Sequence, residues 1–577
     1  MSGVLLFLAN QRRRFRSSET ALVLLAIPVG LAAGLMTILL SGTAHLLQSL
    51  FYGSDIDRLS AATWIAPWRL LALPIGGLLL AAVAIAVRKR FRAPVDVVEA
   101  NALHGGRIPV RDSLLVCGQT LISNGAGASV GLEAAYAQIG GGLGSVVGQW
   151  LRLRRNDLRV LVGGGAGAAI GAAFGAPLTG AFYAFEIVIG AYTPAAIAPV
   201  AAAALAAVLV VRAAGMPAYQ IALPSAHAIV TIDYFIYAVL GLVCALTGIL
   251  LMRLVTLMET RVRASRLPEL SRPVIGGMLL IPIAWLSPQS LSAGHGAMHL
   301  DLTAQVGLGF LIAILLLKIA ASAVSLGFGF RGGLFFASLF LGSLVGQIFA
   351  AAIALVPDLP PIDATDAALI GMAAMAVSVV GGPMTMAMLV LETTHDFALT
   401  GATIAAVLCA STIVRELFGF SFSTWRLHTR GESIRSARDV GWVKALTAGR
   451  MMRRGAATID GSTSLAEFQR RFPLGSVGRV VLTNVDGTYA GLVPTALAFA
   501  ATADADAEVR SIAILQEHAL VPDQDVVSVM KMFDACETDD LAVVDGRGAV
   551  LGVVSEKYVR RRYAEEIEKA QRDLFGE

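Results

Sequence analysis

One acidic residue occupies a position where its charge could control the passage of an ion. Glu133 follows Gly131 and Leu132 and begins an apolar stretch, after a glycine-rich approach at residues 124–128. The first N–H groups of a helix lack partners within the helix, so a helix start favours negative charge and binds anions. A glutamate at this start would occupy the anion site while charged and leave it when protonated. The pattern predicts a gate, and the alternative is an acid that only caps a helix in a water-filled loop.

A second glycine-rich helix start lies in the second half of the chain. Gly332 and Gly333 precede Leu334 and Phe335, at the beginning of another apolar stretch. Paired glycines let backbone N–H groups approach a ligand closely, and those of Leu334 and Phe335 would then bind an anion. The alternative is ordinary packing of helices through small residues. We expect the two helix starts to lie close together at one site.

The composition indicates that these helix starts belong to a membrane protein. Of the 577 residues, 56% are hydrophobic and 15% are charged, and the mean hydropathy is +0.71. A soluble chain carries about 25% charged residues. Basic runs at residues 12–16, 88–92 and 152–155 flank apolar stretches, as Lys and Arg do on cytoplasmic loops. They predict a multi-pass protein of the inner membrane with both termini in the cytoplasm, and they do not form a nucleic-acid-binding surface.

Residues typical of metal and enzyme chemistry form no pattern in the sequence. The four cysteines have no CxxC spacing, and the eight histidines form no HExxH motif. The sequence also contains no recognisable nucleophile–base pair or phosphate-binding loop. We therefore expect neither an enzyme nor a metal site, and the expected partners are a small anion and the lipid bilayer.

The apolar stretches are uneven in length. Several of them, including residues 133–150, 176–190 and 383–393, are short or broken by glycine and proline. Helix ends at membrane depth are tolerated where they line a cavity or are buried in protein. A run of such broken helices therefore predicts a transport site.

Two sequence motifs occur twice in the same order. LGSVVGQ at residues 143–149 returns as LGSLVGQ at residues 341–347, and GAPLTGAFYAFE at 175–186 returns as GGPMTMAMLVLE at 381–392. The repetition predicts a transporter of two related halves with its site where the halves meet. The glutamates that end the second motif are predicted to stabilise helix interfaces.

The motif around Glu133 resembles that of a known family. Residues 131–141 (GLEAAYAQIGG) resemble the GREGPxxQIGG signature of CLC chloride channels and anion/proton antiporters, with Glu133 at the gating glutamate. Residues 331–337 resemble GxFxP, and residues 174–186 are similar to the AFNAPLAG helix. The resemblance spans residues 20–430. It implies an all-α polytopic membrane protein with the CLC fold of eighteen helices, an inverted repeat of broken helices, and a homodimer with one anion pathway per subunit. The positions that match the family's anion site are Gly131, Leu132, Gly333, Leu334, Phe335, Phe422 and Ser423.

The chain departs from the family pattern at positions that would shape the inner part of the pathway. The GSGIP loop would fall at residues 90–94, which contain no serine, and the inner tyrosine maps to Ser423 or, one residue away, to Phe422. The internal proton-relay glutamate of the antiporters is replaced by Ile187. Glu186, directly before it, matches a structural glutamate of the family.

Two arginines stand where the family has uncharged residues. Arg92 and Arg331 would each lie near a helix end of the site. The hypothesis is that they make the inner approach cationic and compensate for the lost serine and tyrosine. The alternative is that both extend to the cytoplasmic interface, as long basic side chains near helix ends do.

Charge returns after residue 430 and marks a change of domain. The predicted organisation is a basic cytoplasmic N-terminus, two membrane repeats, a linker and a soluble tail, which cover residues 1–17, 18–215, 216–430, 431–444 and 445–577. Within the tail, residues 445–506 and 507–563 each contain an amphipathic helix and two strands joined by an Asp-Gly turn, and a terminal helix follows. The pair resembles CBS domains, an α/β fold common on CLC proteins.

CBS pairs often bind adenine nucleotides through an aspartate three residues after a Ser or Thr. That position is Tyr558 after Ser555 in the second unit, and no such acid follows residues 491–494 in the first. The resemblance therefore implies dimerisation through the tail and leaves adenine nucleotide binding without its usual residue. No cofactor is expected, and chloride would be the substrate.

Three functions are compatible with these residues. The first is channel-like conduction of a small inorganic anion, chloride by default, gated by Glu133; Ile187 favours it because the proton relay is absent. The second is anion/proton exchange, with Glu133 as the external proton acceptor and another route inside. The third is a CBS-linked sensor with a vestigial pore, against which Glu133 and the two glycine-rich helix starts argue. The sequence does not rank chloride against fluoride, nitrate or bicarbonate.

Overall fold

The structure is a computed structural model of the chain. It describes residues 19–53, 59–88, 94–215, 229–303, 306–357, 360–422, 424–425, 446–500 and 505–575. The chain divides into two compact units, Met1–Asp439 and Val440–Glu577. The predictions for Arg92, for Ser423, for the N-terminus at 1–17 and for the linker at 431–444 lie outside the described residues.

Sixteen α-helices form the first unit within the described residues. The first eight are α1 (Glu19–Tyr52), α2 (Ala72–Arg88), α3 (Val97–Leu103), α4 (Val110–Gly125), α5 (Glu133–Trp150), α6 (Arg155–Phe174), α7 (Pro177–Tyr183) and α8 (Pro194–Ala213). The second eight are α9 (Thr231–Ala264), α10 (Arg272–Leu286), α11 (His295–Thr303), α12 (Leu308–Gly327), α13 (Phe335–Ile353), α14 (Ala364–Val380), α15 (Pro383–Thr394) and α16 (Phe397–Leu417). A π-helical turn continues α7 over Ala184–Ile189.

The two sets of eight helices follow the same order of lengths. α1 and α9 each contain 34 residues, and a short helix, α3 or α11, stands third in each set. Long helices α6 and α14 each precede a shorter one that begins with proline, α7 or α15. The architecture is the predicted all-α polytopic one.

Large apolar side chains cover the outside of the first unit. Eight of its helices, within the described residues, are long and apolar enough to cross a membrane. On α1, Leu24, Leu35 and Leu39 are exposed, whereas Ala26 and Ala33 are buried. Lipid solvates a leucine as well as a protein interior does, so small residues collect at helix interfaces, where they let backbones approach.

Glycine pairs hold two pairs of helices in backbone contact at equivalent places of the two halves. A Cβ on Gly140 of α5 would lie 2.2 Å from the carbonyl oxygen of Gly165 in α6. A Cβ on Gly342 of α13 would lie 2.3 Å from the carbonyl oxygen of Gly371 in α14. Any side chain there would separate the helices, so the close approach requires glycine. Each of the two helices that begin at the site is therefore packed tightly against the helix that follows it.

Glu186 and Glu392 cap helices of the opposite half. Glu186 accepts hydrogen bonds from the N–H groups of Met384 and Thr385 at 3.1 and 2.8 Å, and from the Thr385 hydroxyl at 2.7 Å. Glu392 accepts the three equivalent bonds from the first turn of α7, at 2.7, 2.8 and 2.7 Å. Each carboxylate satisfies N–H groups that a helix start leaves unpaired. Both glutamates thus lie at the interface of the halves, as the repeat predicts.

In its described residues, the second unit contains two three-stranded sheets. One has the order β2 (Thr458–Asp460), β3 (Arg479–Thr483), β4 (Tyr489–Pro494), and the other has the order β1 (Arg453–Arg454), β6 (Val550–Ser555), β5 (Asp540–Val544). β2 is parallel to β3, and the other neighbouring strands are antiparallel. The helices are α17 (Ala448–Met451), α18 (Leu465–Arg471), α19 (Thr495–Ala498), α20 (Val526–Cys536) and α21 (Glu556–Phe575). The α/β class predicted for the tail is confirmed.

Both predicted hairpins of the tail form, although their turns differ. In the first turn Gly487 has φ 80°, as its Asp-Gly sequence predicts. In the second turn Gly548, with φ 83°, adopts the left-handed conformation instead of Gly546. Val481, Leu492 and Ala542 form a small apolar cluster that joins the two sheets.

Candidate functional site

The two glycine-rich helix starts meet in the structure. Gly131 donates its N–H to the carbonyl of Gly333 at 2.9 Å, and Gly333 donates its N–H to the carbonyl of Gly131 at 3.2 Å. The two bonds form a short antiparallel bridge between the halves. Each bridge residue stands two positions before the first residue of a helix, Glu133 of α5 or Phe335 of α13. The starts of both helices are therefore held next to each other.

The side chain of Glu133 spans the two helix starts. Its Oε1 accepts a hydrogen bond from the N–H of Phe336, in the first turn of α13, at 3.2 Å. Glu133 is 4% exposed, and its Oε2 has no hydrogen-bond partner among the described residues. A buried carboxylate with an unpaired oxygen is costly, so its presence where two helix starts meet indicates a function. The carboxylate occupies the place where the start of α13 could bind a free anion.

Glycine is required beside this carboxylate because space is short. A Cβ on Gly131 would lie 1.9 Å from Oε2 of Glu133, and a Cβ on Gly333 would lie 3.2 Å from the same atom. Neither glycine is among the residues with positive φ, so the requirement is for room and not for an unusual backbone conformation. The backbone at Gly131 thus approaches the carboxylate as closely as glycine permits, whereas a Cβ at Gly333 would require a shift of only a few tenths of an ångström.

Two cavities meet at Glu133. One, the histidine vestibule, has a volume of about 170 Å³, and its wall includes His45, Gln48, Ser60, Asn124, Ser292 and His295. The other, the arginine vestibule, has a volume of about 110 Å³, and its wall includes Asp96, Glu99, Tyr183, Arg331, Phe335 and Phe422. Within the part of the chain that the structure describes, Glu133 is the one residue that lines both vestibules.

The anion-binding positions predicted from the sequence are found on both sides of Glu133. Leu132 lines the histidine vestibule. The arginine vestibule is lined by Gly333, Leu334, Phe335 and Phe422. Gly131 lies between the vestibules, in the bridge to Gly333.

Arg331 is held in the wall of the arginine vestibule. Its N–H donates to the Ser123 hydroxyl at 2.9 Å, and its Nη1 donates to Oε1 of Gln119 at 3.1 Å. Both partners belong to α4, so the guanidinium is directed along that helix. Arg331 and Glu133 line the same cavity.

Ile187 lies away from both vestibules, and other acids line the arginine vestibule. Ile187 is buried in the π-helical turn that continues α7. Asp96 and Glu99 line the arginine vestibule together with Glu133. Asp96 also begins α3, because its Oδ1 accepts the N–H of Val98 at 2.9 Å. Nothing in the spacing of these two acids distinguishes them from residues that cap a helix, so they could not be predicted from the sequence.

The wall of the histidine vestibule contains polar residues that no sequence motif predicts. His295 stacks on Phe336 with the ring centroids 3.5 Å apart. Behind the wall, Lys318 of α12 is fully buried, and its Nζ donates to the carbonyls of Ser290 at 3.2 Å and Ser292 at 2.7 Å. A single lysine within an apolar helix can be recognised in the sequence, and in a membrane protein it indicates a function.

The groups around Glu133 suit an anion better than a metal ion. In the described ranges, no three His, Cys, Asp or Glu side chains form a group that could hold a metal. Apart from the carboxylates of Glu133, Asp96 and Glu99, the polar lining of the vestibules consists of helix starts, hydroxyl and amide side chains, imidazoles and an arginine. Such donors bind small anions.

Comparisons with known proteins agree with this arrangement. The family model described as Voltage gated chloride channel matches residues 76–415, more than half of the chain. A ClcB-like chloride channel protein of Ralstonia nicotianae is 28% identical over 377 residues, which cover 64% of this chain and 88% of that protein. The crystal structure of a slow cyanobacterial Cl⁻/H⁺ antiporter matches with a TM-score of 0.60 at 23% identity, covering 71% of this chain and 97% of the other. The crystal structure of a CLC-type fluoride/proton antiporter matches with a TM-score of 0.58 at 21% identity, covering 69% and 96%.

The likeness to the two solved structures shows the fold, and the family model shows the family. The predicted CLC fold is thereby confirmed for the membrane unit. The chain belongs to the voltage-gated chloride channel (CLC) family, and the two helix starts that meet at Glu133 are part of a fold that transports anions across membranes.

Proposed function

We propose that the protein conducts a small inorganic anion, chloride by default, in a channel-like manner through one pathway per subunit gated by Glu133. The observation that carries this proposal is that Glu133, among the described residues, is the one residue shared by both vestibules. A path from one vestibule to the other therefore passes its carboxylate. Because the family transports anions, the species that the carboxylate excludes is an anion.

The carboxylate and the anion compete for the same N–H groups. While Glu133 is charged, its Oε1 holds the N–H of Phe336, and its negative charge repels a second anion. Protonation removes the charge, so the side chain no longer competes well for a helix start. An anion would then bind near Gly131, Gly333, Leu334 and Phe335, with Phe422 on the side of the arginine vestibule. Ser423 is assigned to this site from the sequence alone.

We assign the arginine vestibule to the cytoplasmic side of the inner membrane. Pro94 and Asp96 line it, and they follow the basic run at residues 88–92. Basic loops remain on the cytoplasmic side of a membrane. The histidine vestibule would then open to the outside, and both termini of the chain would lie in the cytoplasm.

Anion/proton exchange is the second candidate, and one observation favours it. Asp96 and Glu99 line the same vestibule as Glu133, so proton acceptors exist on that side although residue 187 is isoleucine. Glu133 would then be the external proton acceptor. Conduction stays the main proposal because the relay position carries Ile187 and because Asp96 already serves as the cap of α3.

One experiment separates these functions. The full-length protein is placed in liposomes under a chloride gradient, and chloride efflux and internal pH are recorded together. We expect chloride efflux without coupled proton movement. Uphill proton movement, reduced by Asp96→Asn or Glu99→Gln, would instead support exchange. Absence of flux for every small anion would refute both and support a sensor with a vestigial pore.

Glu133→Gln provides the critical variant, because it keeps the size of the side chain and removes its charge. In a channel, this variant should conduct at all pH values with little pH dependence. Ser290→Ala serves as a control, since the hydroxyl that it removes bonds within its own turn, to the Ser287 carbonyl at 2.7 Å, and the Ser290 carbonyl that accepts from Lys318 is kept. A Glu133→Gln protein with unchanged pH dependence would contradict gating by this residue.

We further propose that the tail is a CBS pair whose role is to associate two subunits. Each half of the tail has a helix and an antiparallel hairpin, and the halves share one apolar cluster. Ser555 and Tyr558 line a cleft of the tail, and tyrosine cannot provide the ribose-binding carboxylate. ATP should therefore leave the melting temperature of the full-length protein unchanged. Stabilisation by ATP would contradict this assignment.

A further inference from the structure

Ser292 has an unusual conformation in the wall of the histidine vestibule. It lies in the turn before α11, it is 8% exposed, and its φ is 54°. Residues other than glycine seldom adopt this left-handed conformation, and they persist in it where surrounding contacts enforce it, often at ligand sites. Such contacts surround Ser292.

Three of the four hydrogen-bonding functions of Ser292 are occupied. Its N–H donates to the carbonyl of Gly127 at 3.0 Å, and its carbonyl accepts from Nζ of Lys318 at 2.7 Å. Its Oγ accepts from Nε2 of Gln48 at 3.3 Å and from Nδ2 of Asn124 at 3.2 Å. A hydroxyl oxygen has two lone pairs, and both face donors here. The hydroxyl proton remains, and it has no acceptor among the described residues.

Ser60 repeats this arrangement from a different part of the chain. Its Oγ accepts the N–H groups of Gly296 at 3.0 Å and Ala297 at 3.3 Å, at the start of α11. Ser60 is 3% exposed and also lines the histidine vestibule. Its oxygen is likewise saturated as an acceptor, so its proton is also left without an acceptor in the described part of the chain.

The described wall of the histidine vestibule combines several hydrogen-bond donors with a single carboxylate. It contains the carboxylate of Glu133 and two imidazoles, those of His45 and His295. The side-chain nitrogen of Lys318 lies directly behind Ser292, and its hydrogen bonds go to the carbonyls of Ser290 and Ser292.

We propose that the histidine vestibule holds a second anion-binding site, in which the hydroxyls of Ser292 and Ser60 donate to a small monovalent inorganic anion. Two hydroxyls that can only donate are unsuited to a cation and suited to an anion. Lys318 is the positioning residue, because it fixes the carbonyl of Ser292. The site rests on the proposed function, since the anion would wait there before it displaces Glu133.

Bromide, which scatters anomalously, is the probe for the site. Crystals of the full-length protein grown in bromide should show an anomalous peak in this vestibule beside Ser292. Ser292→Gly removes the hydroxyl and suits a φ of 54°, so it should fold and lose the peak. Ser292→Asn also tolerates this conformation and restores an N–H donor, so it should regain the peak. A wild-type vestibule that contains water only would overturn the proposal.

Flux measurements distinguish failure of this site from failure of the proposed function. In liposomes, Ser292→Gly should raise the half-saturating concentration of chloride applied to this vestibule by about tenfold, which corresponds to the loss of one hydrogen bond to a charged group. Ser60→Asp keeps an oxygen that accepts the first N–H groups of α11 but adds a negative charge, so it should raise the half-saturating chloride concentration further. Ser60→Asn keeps such an oxygen without the charge, so it should not raise this concentration further. If wild-type protein transports chloride and Ser292→Gly leaves the half-saturating chloride concentration unchanged, the proposed second anion site is refuted, and the proposed anion pathway is not. If wild-type protein transports no anion, the proposed function itself is wrong.

Discussion

Replacing Gly131 by alanine should displace the Glu133 carboxylate from its site. A Cβ at residue 131 would lie 1.9 Å from Oε2, 2.6 Å from Cδ and 2.7 Å from Oε1 of Glu133, whereas ordinary contacts begin at 3.4 Å. The carboxylate would have to move by about 1.5 Å. The backbone tolerates alanine, because Gly131 is not among the residues with positive φ. The substitution therefore acts on the carboxylate and not on the fold.

The size of the effect follows from the contact that is lost. The displaced carboxylate gives up the N–H of Phe336. A hydrogen bond to a charged group contributes about 1.5–3 kcal/mol, and each 1.4 kcal/mol is a factor of about ten. The blocked state should lose about 10- to 100-fold in population relative to the open state. Anion flux at neutral pH should rise and should depend less on pH.

Gly333→Ala is the matched control. Its Cβ would lie 3.2 Å from the same Oε2, so a shift of a few tenths of an ångström relieves the contact. The assay is chloride efflux from liposomes at several pH values. Because Gly131→Ala and Glu133→Gln both act through one carboxylate, the double variant should behave like Glu133→Gln by itself. Additive effects, or wild-type flux and pH dependence for Gly131→Ala, would refute the reasoning that this carboxylate blocks the path.

Three further predictions concern other parts of the chain. Glu186→Ala and Glu392→Ala should each lower the free energy of unfolding by about 3 kcal/mol, since each removes charge-assisted hydrogen bonds at a helix start. Thermal unfolding in detergent measures the loss of stability. A large difference between the two variants would contradict the equivalence of the two glutamates. Arg331→Gln should reduce anion flux more at low than at high ionic strength, because salt screens its charge; unchanged flux and salt dependence would exclude a pathway role. In the tail, the hydrogen bond from the N–H of Ala549 holds the pKa of Asp545 below its usual value. The carboxylate of Asp545 therefore stabilises the fold above its unfolded-state pKa, and this stabilisation is lost as the pH falls through its folded-state pKa. Denaturant unfolding below about pH 4 should show the loss of stability, and the Asp545→Asn protein should not show this pH dependence.

The helix starts at the site were predictable because they depend on residues that are neighbours in the chain. The run from Gly131 to Glu133 combines room for a close approach, an acid and the first turn of a helix, and all three are visible in the sequence. The repeated motif that ends in Glu186 and Glu392 likewise predicted an interface. It could not predict that each glutamate caps a helix of the opposite half, because that depends on how the halves pack.

The walls of the vestibules could not be predicted in the same way. Ser60 and Ser292 have no distinctive neighbours in the sequence, and a loop serine is ordinarily a solvated residue. Asn124 begins the glycine-rich approach to Glu133, but that pattern does not say what its amide contacts. Their hydroxyl and amide groups become specific only when α1, α4 and the turn before α11 bring them together. Lys318 differs from them, since a charge in an apolar helix is visible in the sequence although its partners are not.

A carboxylate at the start of a helix, in a membrane protein of two related halves with an α/β tail, could be predicted from the order of the residues. Those properties follow from composition, from local spacing and from a repeat, and each is carried by residues close together in the chain. The tertiary structure decided that Gly131 pairs with Gly333 and that two cavities meet at one side chain. Such contacts join residues about two hundred positions apart, and their distance depends on the packing of every helix between them.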